Sequence, residues 1–314
     1  MFTGLAAGAL WGLDTVILSI ALSRSGFCST AQALALAPFV STFLHDFFSS
    51  CWMVVYTTAR RKWKNVLYAL KTKSGKFIIL GALLGGPIGM SGYVAAIHFM
   101  GPAYTAVITA VYPAVGALLA RLFLKEKMKK YQIVSLIICI AGVIILGYSP
   151  GGGNDVKNFY IGFACALLCV LGWSSEAVIC AHGMKDPAVT NEQALQIRQV
   201  TSAFAYAAVI LPIIKGWKFT SDIFLTTDSG IILIAALCGT ASYLLYYKTI
   251  SSIGPSKAMA LNITYSAWSI VFSLILLHNQ PDLKAIICCI MIAVSSVITG
   301  MGDVKRKTNK ELKQ

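Results

Sequence analysis

Charge is scarce in this chain. Only 12% of its 314 residues are Asp, Glu, Lys or Arg, and the acids number just 12. That excludes a disordered polar chain, and it leaves too little charge to clothe a soluble domain of this size. Histidine is rarer still, at 4. No His-Glu-x-x-His pattern occurs, and the one Gly-x-Ser-x-Gly match, Gly147-Tyr-Ser-Pro-Gly151, follows an apolar span and not a strand, so the sequence offers neither a zinc-hydrolase helix nor a nucleophile elbow. An intramembrane enzyme would need a Ser/His pair, a His-rich metal site or facing aspartates. His45-Asp46 is the only dyad on offer, and adjacent residues project to different sides of a helix. The 9 cysteines are an odd number without metal spacing and lie mostly in apolar runs. They read as small packing residues, with no disulfide framework, metal or cofactor expected. Long linkers are missing too; only Gly151-Gly152-Gly153-Asn154, near mid-chain, reads as flexible.

Apolar residues are abundant instead. They make up 57% of the chain, and the mean hydropathy is +0.73. Ten stretches are long enough to cross a bilayer: 3–22, 35–58, 77–98, 103–123, 131–148, 160–181, 193–214, 231–250, 256–277 and 283–301. The expectation is an all-α integral membrane protein of ten transmembrane helices. The first stretch lacks a basic leader and carries Trp11 and Asp14, so it reads as a span and not as a signal peptide. The net charge of +14 does not indicate nucleic acid, because the Lys and Arg residues cluster between spans. With the N-terminus inside, nineteen of them fall in cytoplasmic loops and the tail, from Arg60, Arg61 and Lys62 to Lys313. Five face the other way: Arg24, Lys157, Lys215, Lys218 and Lys284. That bias predicts a multi-pass protein of the cell membrane with both termini cytoplasmic. Any affinity for anionic lipid is secondary to it.

The chain also repeats itself. Trp11-Gly-Leu-Asp14 answers Trp173-Ser-Ser-Glu176, each with aromatic and acid three residues apart on one side of a helix. At an offset of 153, Gly86 meets Gly239, Tyr93 meets Tyr246, Gly101-Pro102 meets Gly254-Pro255, and Tyr112 meets Tyr265. Five spans per half is an odd number, so the second half, 151–314, would be inverted relative to the first, 1–150. Acids inside apolar helices are costly and mark substrate or ion paths. An inverted repeat places such a path at the midplane, between the halves.

These features resemble the drug/metabolite transporter superfamily of EamA type, in the five-plus-five layout, the Trp-Gly of span one and Tyr112-Pro113 of span four. Local segments are similar to the bacterial choline-uptake permeases of the LicB type: Gly81–Met90, Trp173–Val178, Ile197–Ser202, Ser242–Tyr247 and Leu261–Trp268. The resemblance implies a secondary transporter that imports choline or a similar quaternary amine by alternating access. Export of amino acids or cationic drugs, which the same superfamily performs, is the alternative.

A quaternary ammonium has no N–H to donate, so aromatic faces must hold it, at about 0.5–2 kcal/mol each once desolvated. The expected substrate site is Trp11, Asp14, Tyr112, Trp173, Glu176, Tyr243, Tyr246, Tyr265 and Trp268, with Glu176 as counter-charge. Tyr243, Tyr246 and Tyr247 share one helix face, as do Asn262, Tyr265 and Trp268. Packing alone, or interfacial anchoring as for Trp52, Trp63, Trp217 and Tyr148, is the competing reading of these aromatics. Gly85-Gly86-Pro87 is expected to kink span three or admit a close neighbour. His45, Asp46 and Arg198 form a second polar group for coupling or gating. His45 is suited to carry a proton, whereas an Asp46–Arg198 pair reads more simply as a fixed bridge. A membrane potential of 100 mV is worth about 2.3 kcal/mol per charge, enough to accumulate a cation with or without a coupled proton.

Overall fold

In a computed structural model, which describes residues 2–124, 129–148, 156–278 and 283–300, each of the ten apolar stretches is helical. The helices are α1 (Phe2–Leu22), α2 (Ser25–Cys28), α3 (Ala31–Ala59), α4 (Trp63–Lys71), α5 (Lys73–Leu83), α6 (Ser91–Met100), α7 (Pro102–Thr109), α8 (Tyr112–Leu124) and α9 (Lys130–Tyr148). They are followed by α10 (Val156–Gly183), α11 (Asn191–Ala205), α12 (Leu211–Ile213), α13 (Trp217–Phe224), α14 (Thr227–Ile253), α15 (Pro255–Asn262), α16 (Tyr265–Leu277) and α17 (Leu283–Gly300). No strand occurs among the described residues. The 151–154 linker and the basic tail from 301 lie outside them.

Among the described residues, seven segments are long and apolar enough to cross a membrane: Phe2–Leu22, Lys73–Met100, Pro102–Phe123, Asn158–Gly183, Asn191–Ile213, Thr227–Ile253 and Lys257–Leu277. The outer faces of the helices stay greasy. Val55, Leu122, Ile137, Ile144, Leu171 and Ile234 are all more than half exposed, as residues facing hydrocarbon would be.

Lipid tails supply no hydrophobic drive between helices, so small residues must let backbones approach. Gly4, Gly8 and Gly12 form such a stripe on α1. A methyl group at Gly8 would lie 2.8 Å from the Asn262 carbonyl oxygen, and one at Gly12 would lie 2.9 Å from the Ser269 nitrogen. The stripe therefore seats α1 directly on the α15–α16 backbone. Ser242 Oγ donates to the Ala7 carbonyl (2.7 Å), binding α1 to α14 as well.

Two helix breaks recur at the 153-residue offset. Gly101 (φ +82°) and Gly254 (φ +89°) each precede a proline at the first turn of the next helix, a backbone that only glycine adopts without strain. Helices α7 and α15 then end at Thr109 and Asn262, and α8 and α16 restart at Tyr112 and Tyr265. Packing follows the same correspondence. The closest partner of α1 is α14, and that of α10 is α6; α3 lies on α14 as α11 lies on α5, and α9 packs on α17. Helices from before and after residues 151–154 are thus interleaved.

Candidate functional site

The cavity between the halves is lined by aromatics from four helical segments. Trp11 comes from α1, Tyr112 from the α7–α8 break, Trp173 from α10, and Tyr243, Tyr246 and Tyr247 from α14. Glu176 and Asn262 add polar groups to its lining. The rings interlock edge to face. Trp11 lies 5.4 Å from Trp173 and 5.2 Å from Tyr243, between ring centres and near perpendicular, and Tyr112 meets Trp173 at 6.1 Å. Tyr93 closes the group at 4.7 Å from Trp173, its hydroxyl 2.5 Å from Thr15 Oγ1. Each such pair is worth about 0.5–1.5 kcal/mol beyond the area it buries. The rings nearly fill their own box: about 30 Å³ remains, close to one water's share of liquid volume. Two buried polar atoms around it have no hydrogen-bond partner among the described residues: Trp173 Nε1 and Asn262 Oδ1. Unpaired buried groups are costly, so their convergence on one cavity points to a ligand that pairs with them.

Behind the aromatics runs a buried chain of charged groups. Glu176 Oε1 accepts from Arg198 Nε (3.0 Å) and from the Tyr247 hydroxyl (2.9 Å). Arg198, fully buried, also donates to Gln199 Oε1 (2.7 Å) and to the Tyr243 hydroxyl (3.1 Å), and its guanidinium carbon lies 4.7 Å from the Tyr243 ring centre. Its Nη1 reaches Asp46 Oδ1 at 3.5 Å, while Asp46 Oδ2 takes a hydrogen bond from Ser202. His45 then links Asp46 to Asp14, with Nδ1 3.3 Å from Asp46 Oδ1 and Nε2 3.2 Å from Asp14 Oδ1.

Glycines make this chain sterically possible. A methyl group at Gly85 would fall 1.6 Å from Glu176 Oε2, and one at Gly86 would fall 2.0 Å from Ser202 Oγ. At Gly239, the repeat-mate of Gly86, it would fall 2.9 Å from His45 Nε2. Gly85, Gly86 and Pro87 lie in a π-helical stretch, Leu84–Met90, so the expected close approach in span three is there, and what approaches is the carboxylate of Glu176.

Of the nine expected substrate-site residues, Trp11, Tyr112, Trp173, Glu176, Tyr243 and Tyr246 meet at the cavity. Three do not. Trp268 is 41% exposed and stacks on Phe272, because the α16 face it occupies looks away from the bundle. Tyr265 is buried, but its hydroxyl is spent on Thr109 Oγ1 at 2.8 Å. Asp14 sits one layer back, held by His45. Two pairing expectations also change. His45 and Asp46 touch despite being adjacent, because the imidazole turns Nδ1 back along the helix. The closest carboxylate to Arg198 is that of Glu176, so Asp46 is its second partner and not its sole one. Tyr247, grouped by helical spacing with Tyr243 and Tyr246, proves to be a direct support of Glu176. The small residues Ala177, Cys180 and Ser242 also line the cavity, and nothing in their types marked them out.

Residues 1–148 and 160–301 match the EamA-like transporter family. The chain belongs to this family. The transporter resembles Protein LicB of Haemophilus influenzae, with 36% identity over 205 residues that cover 64% of this chain and 67% of the relative. An uncharacterized transporter of Clostridium kluyveri is 22% identical over 250 residues, covering 75% of each. A solved crystal structure superposes with a TM-score of 0.60 at 16% identity, spanning 93% of this chain and 96% of that one, a likeness of fold alone. With its apolar helices, the family makes this a multi-pass membrane protein that moves a small molecule.

Proposed function

We propose that the protein imports choline, or a closely similar quaternary amine, across the cell membrane by alternating access between two inverted five-helix halves. The observation that carries this reading is the aromatic cavity with one carboxylate, Glu176, in its wall. Ring faces suit a cation that cannot donate a hydrogen bond. The orphaned Trp173 Nε1 and Asn262 Oδ1 suit a hydroxyl, which accepts from the former and donates to the latter. The buried chain supports a cationic substrate as well, since it holds three carboxylates, Asp14, Asp46 and Glu176, against one guanidinium and one imidazole.

The inverted arrangement is supported by the two matched helix breaks and by the exchanged packing of the halves. With both termini cytoplasmic, as the loop charges favour, the Arg24–Asp228 ion pair lies on the outer side and Lys62–Glu192 on the inner side. The cavity is too small for a trimethylammonium group, so loading requires it to widen. The membrane potential draws the cation inward. Asp14, His45 and Asp46 form the group that would exchange a coupled proton, with His45 able to donate from both ring nitrogens.

Titration calorimetry on the purified protein tests the reading. Choline should bind saturably and more tightly than tetramethylammonium, which lacks the hydroxyl. Binding of a cationic amino acid in place of choline would move the assignment to the exporters of the superfamily.

A further inference from the structure

Glu176 is asked to neutralise an incoming cation, yet its charge is already engaged. Arg198 Nε lies 3.0 Å from Glu176 Oε1, and the same guanidinium reaches Asp46 Oδ1 with Nη1 at 3.5 Å. It is the only arginine or lysine fully buried among the described residues, and it stands between two carboxylates. Asp46 is the better anchored of the two acids. Ser202 holds one of its oxygens and His45 faces the other, whereas Glu176, on a longer side chain beside Gly85, has only the Tyr247 hydroxyl besides Arg198.

We infer that Arg198 is a resident cation that the substrate displaces. As the ammonium group arrives, Glu176 turns to it and the guanidinium settles on Asp46. The substrate's charge is thereby transmitted through Arg198 to the Asp46–His45–Asp14 group. Arg198 touches no substrate and does not line the cavity. It is a positioning residue whose division between two acids sets substrate affinity. While it sits on Glu176 the site is not competent, and the measured affinity is lowered by the fraction of time it spends there. This rests on the reading of Glu176 as the counter-charge.

The test is a double-mutant cycle read by choline and tetramethylammonium titration of the purified full chain. Asp46→Asn removes the second seat, confines Arg198 to Glu176, and should weaken choline binding at least fivefold, although Asp46 lines no part of the cavity. Arg198→Gln removes the competitor and should tighten binding at least fivefold. In the Arg198→Gln background, Asp46→Asn should have no further effect on affinity. Should Arg198→Gln alone fail to fold, the comparison of Asp46→Asn with the double variant carries the same sign, tighter in the double. Weaker binding on loss of Arg198, or an Asp46→Asn effect that persists without Arg198, overturns the inference. A wild type that binds neither cation, beside an Arg198→Gln variant that binds tetramethylammonium, would support displacement and reject choline as the substrate. Absence of binding in every variant would reject both.

Discussion

At the scale of single residues, the site separates groups that offer a ring face from one that offers charge, and the two should fail differently. Trp173 touches Trp11, Tyr93 and Tyr112 and walls the cavity. Trp173→Ala should weaken choline binding by about 1–2 kcal/mol, roughly five- to thirtyfold. Unchanged affinity in a folded variant would remove Trp173 from the site. Glu176→Gln keeps the shape and removes the charge. Choline uptake should fall sharply, while binding of the neutral isostere 3,3-dimethylbutanol should suffer much less. Equal losses for both ligands would mean that Glu176 serves the fold by holding Arg198, since stranding one partner of a buried pair costs about 3–5 kcal/mol. Which aromatics matter was only partly legible in the sequence. Tyr265 and Trp268 share a helical face by spacing, as do Tyr243 and Tyr247, but spacing does not say which face meets the other half. The Arg198–Glu176 contact joins separate helices, α10 and α11, and no local pattern announces it.

At the scale of elements, the glycines sort into those that admit a side chain and those that admit a backbone. The ten apolar stretches and the Gly-Pro joints could be read directly from the sequence, because length, hydropathy and proline chemistry act locally. The π-helical turn at Leu84–Met90 could not, since it depends on what α10 presents to it. Gly85 stands against the flexible end of Glu176, with Oε2 1.6 Å and Cδ 2.2 Å from where a methyl group would lie. Gly85→Ala can therefore be accommodated by turning Glu176 away, and alanine's helix propensity returns up to about 1 kcal/mol. The expected outcome is a near-normal melting temperature with choline uptake reduced as far as in Glu176→Gln. Gly12 stands against the α16 backbone, 2.9 Å from the Ser269 nitrogen and 3.0 Å from the Tyr265 carbonyl, where nothing can rotate aside. Gly12→Ala should instead lower thermal stability. If Gly85→Ala unfolds the protein while Gly12→Ala is silent, the two roles have been assigned the wrong way round.

At the scale of the whole molecule, the interleaved halves and the fixed charge of the proposed substrate determine what can drive transport. Helices of each half pack chiefly on those of the other, so in the proposed alternating-access cycle rocking one half against the other would open the cavity to one side only by closing it to the opposite side. A quaternary ammonium keeps its charge at every pH, so its passage moves charge whether or not a proton accompanies it. An inside-negative potential of 100 mV contributes about 2.3 kcal/mol, close to fifty-fold accumulation for a monovalent cation. In liposomes with a potassium-diffusion potential and no pH gradient, choline should therefore accumulate, and collapsing the potential should abolish accumulation above equilibrium. An inward proton gradient should add to this only if the Asp14–His45–Asp46 group loads a proton outside and releases it inside. His45→Gln keeps a polar side chain of similar reach but cannot carry the charge. It should then leave potential-driven uptake in place and remove the increment from the proton gradient. Uptake that ignores the potential, or that requires an outward-directed proton gradient, would instead describe an exporter run in reverse.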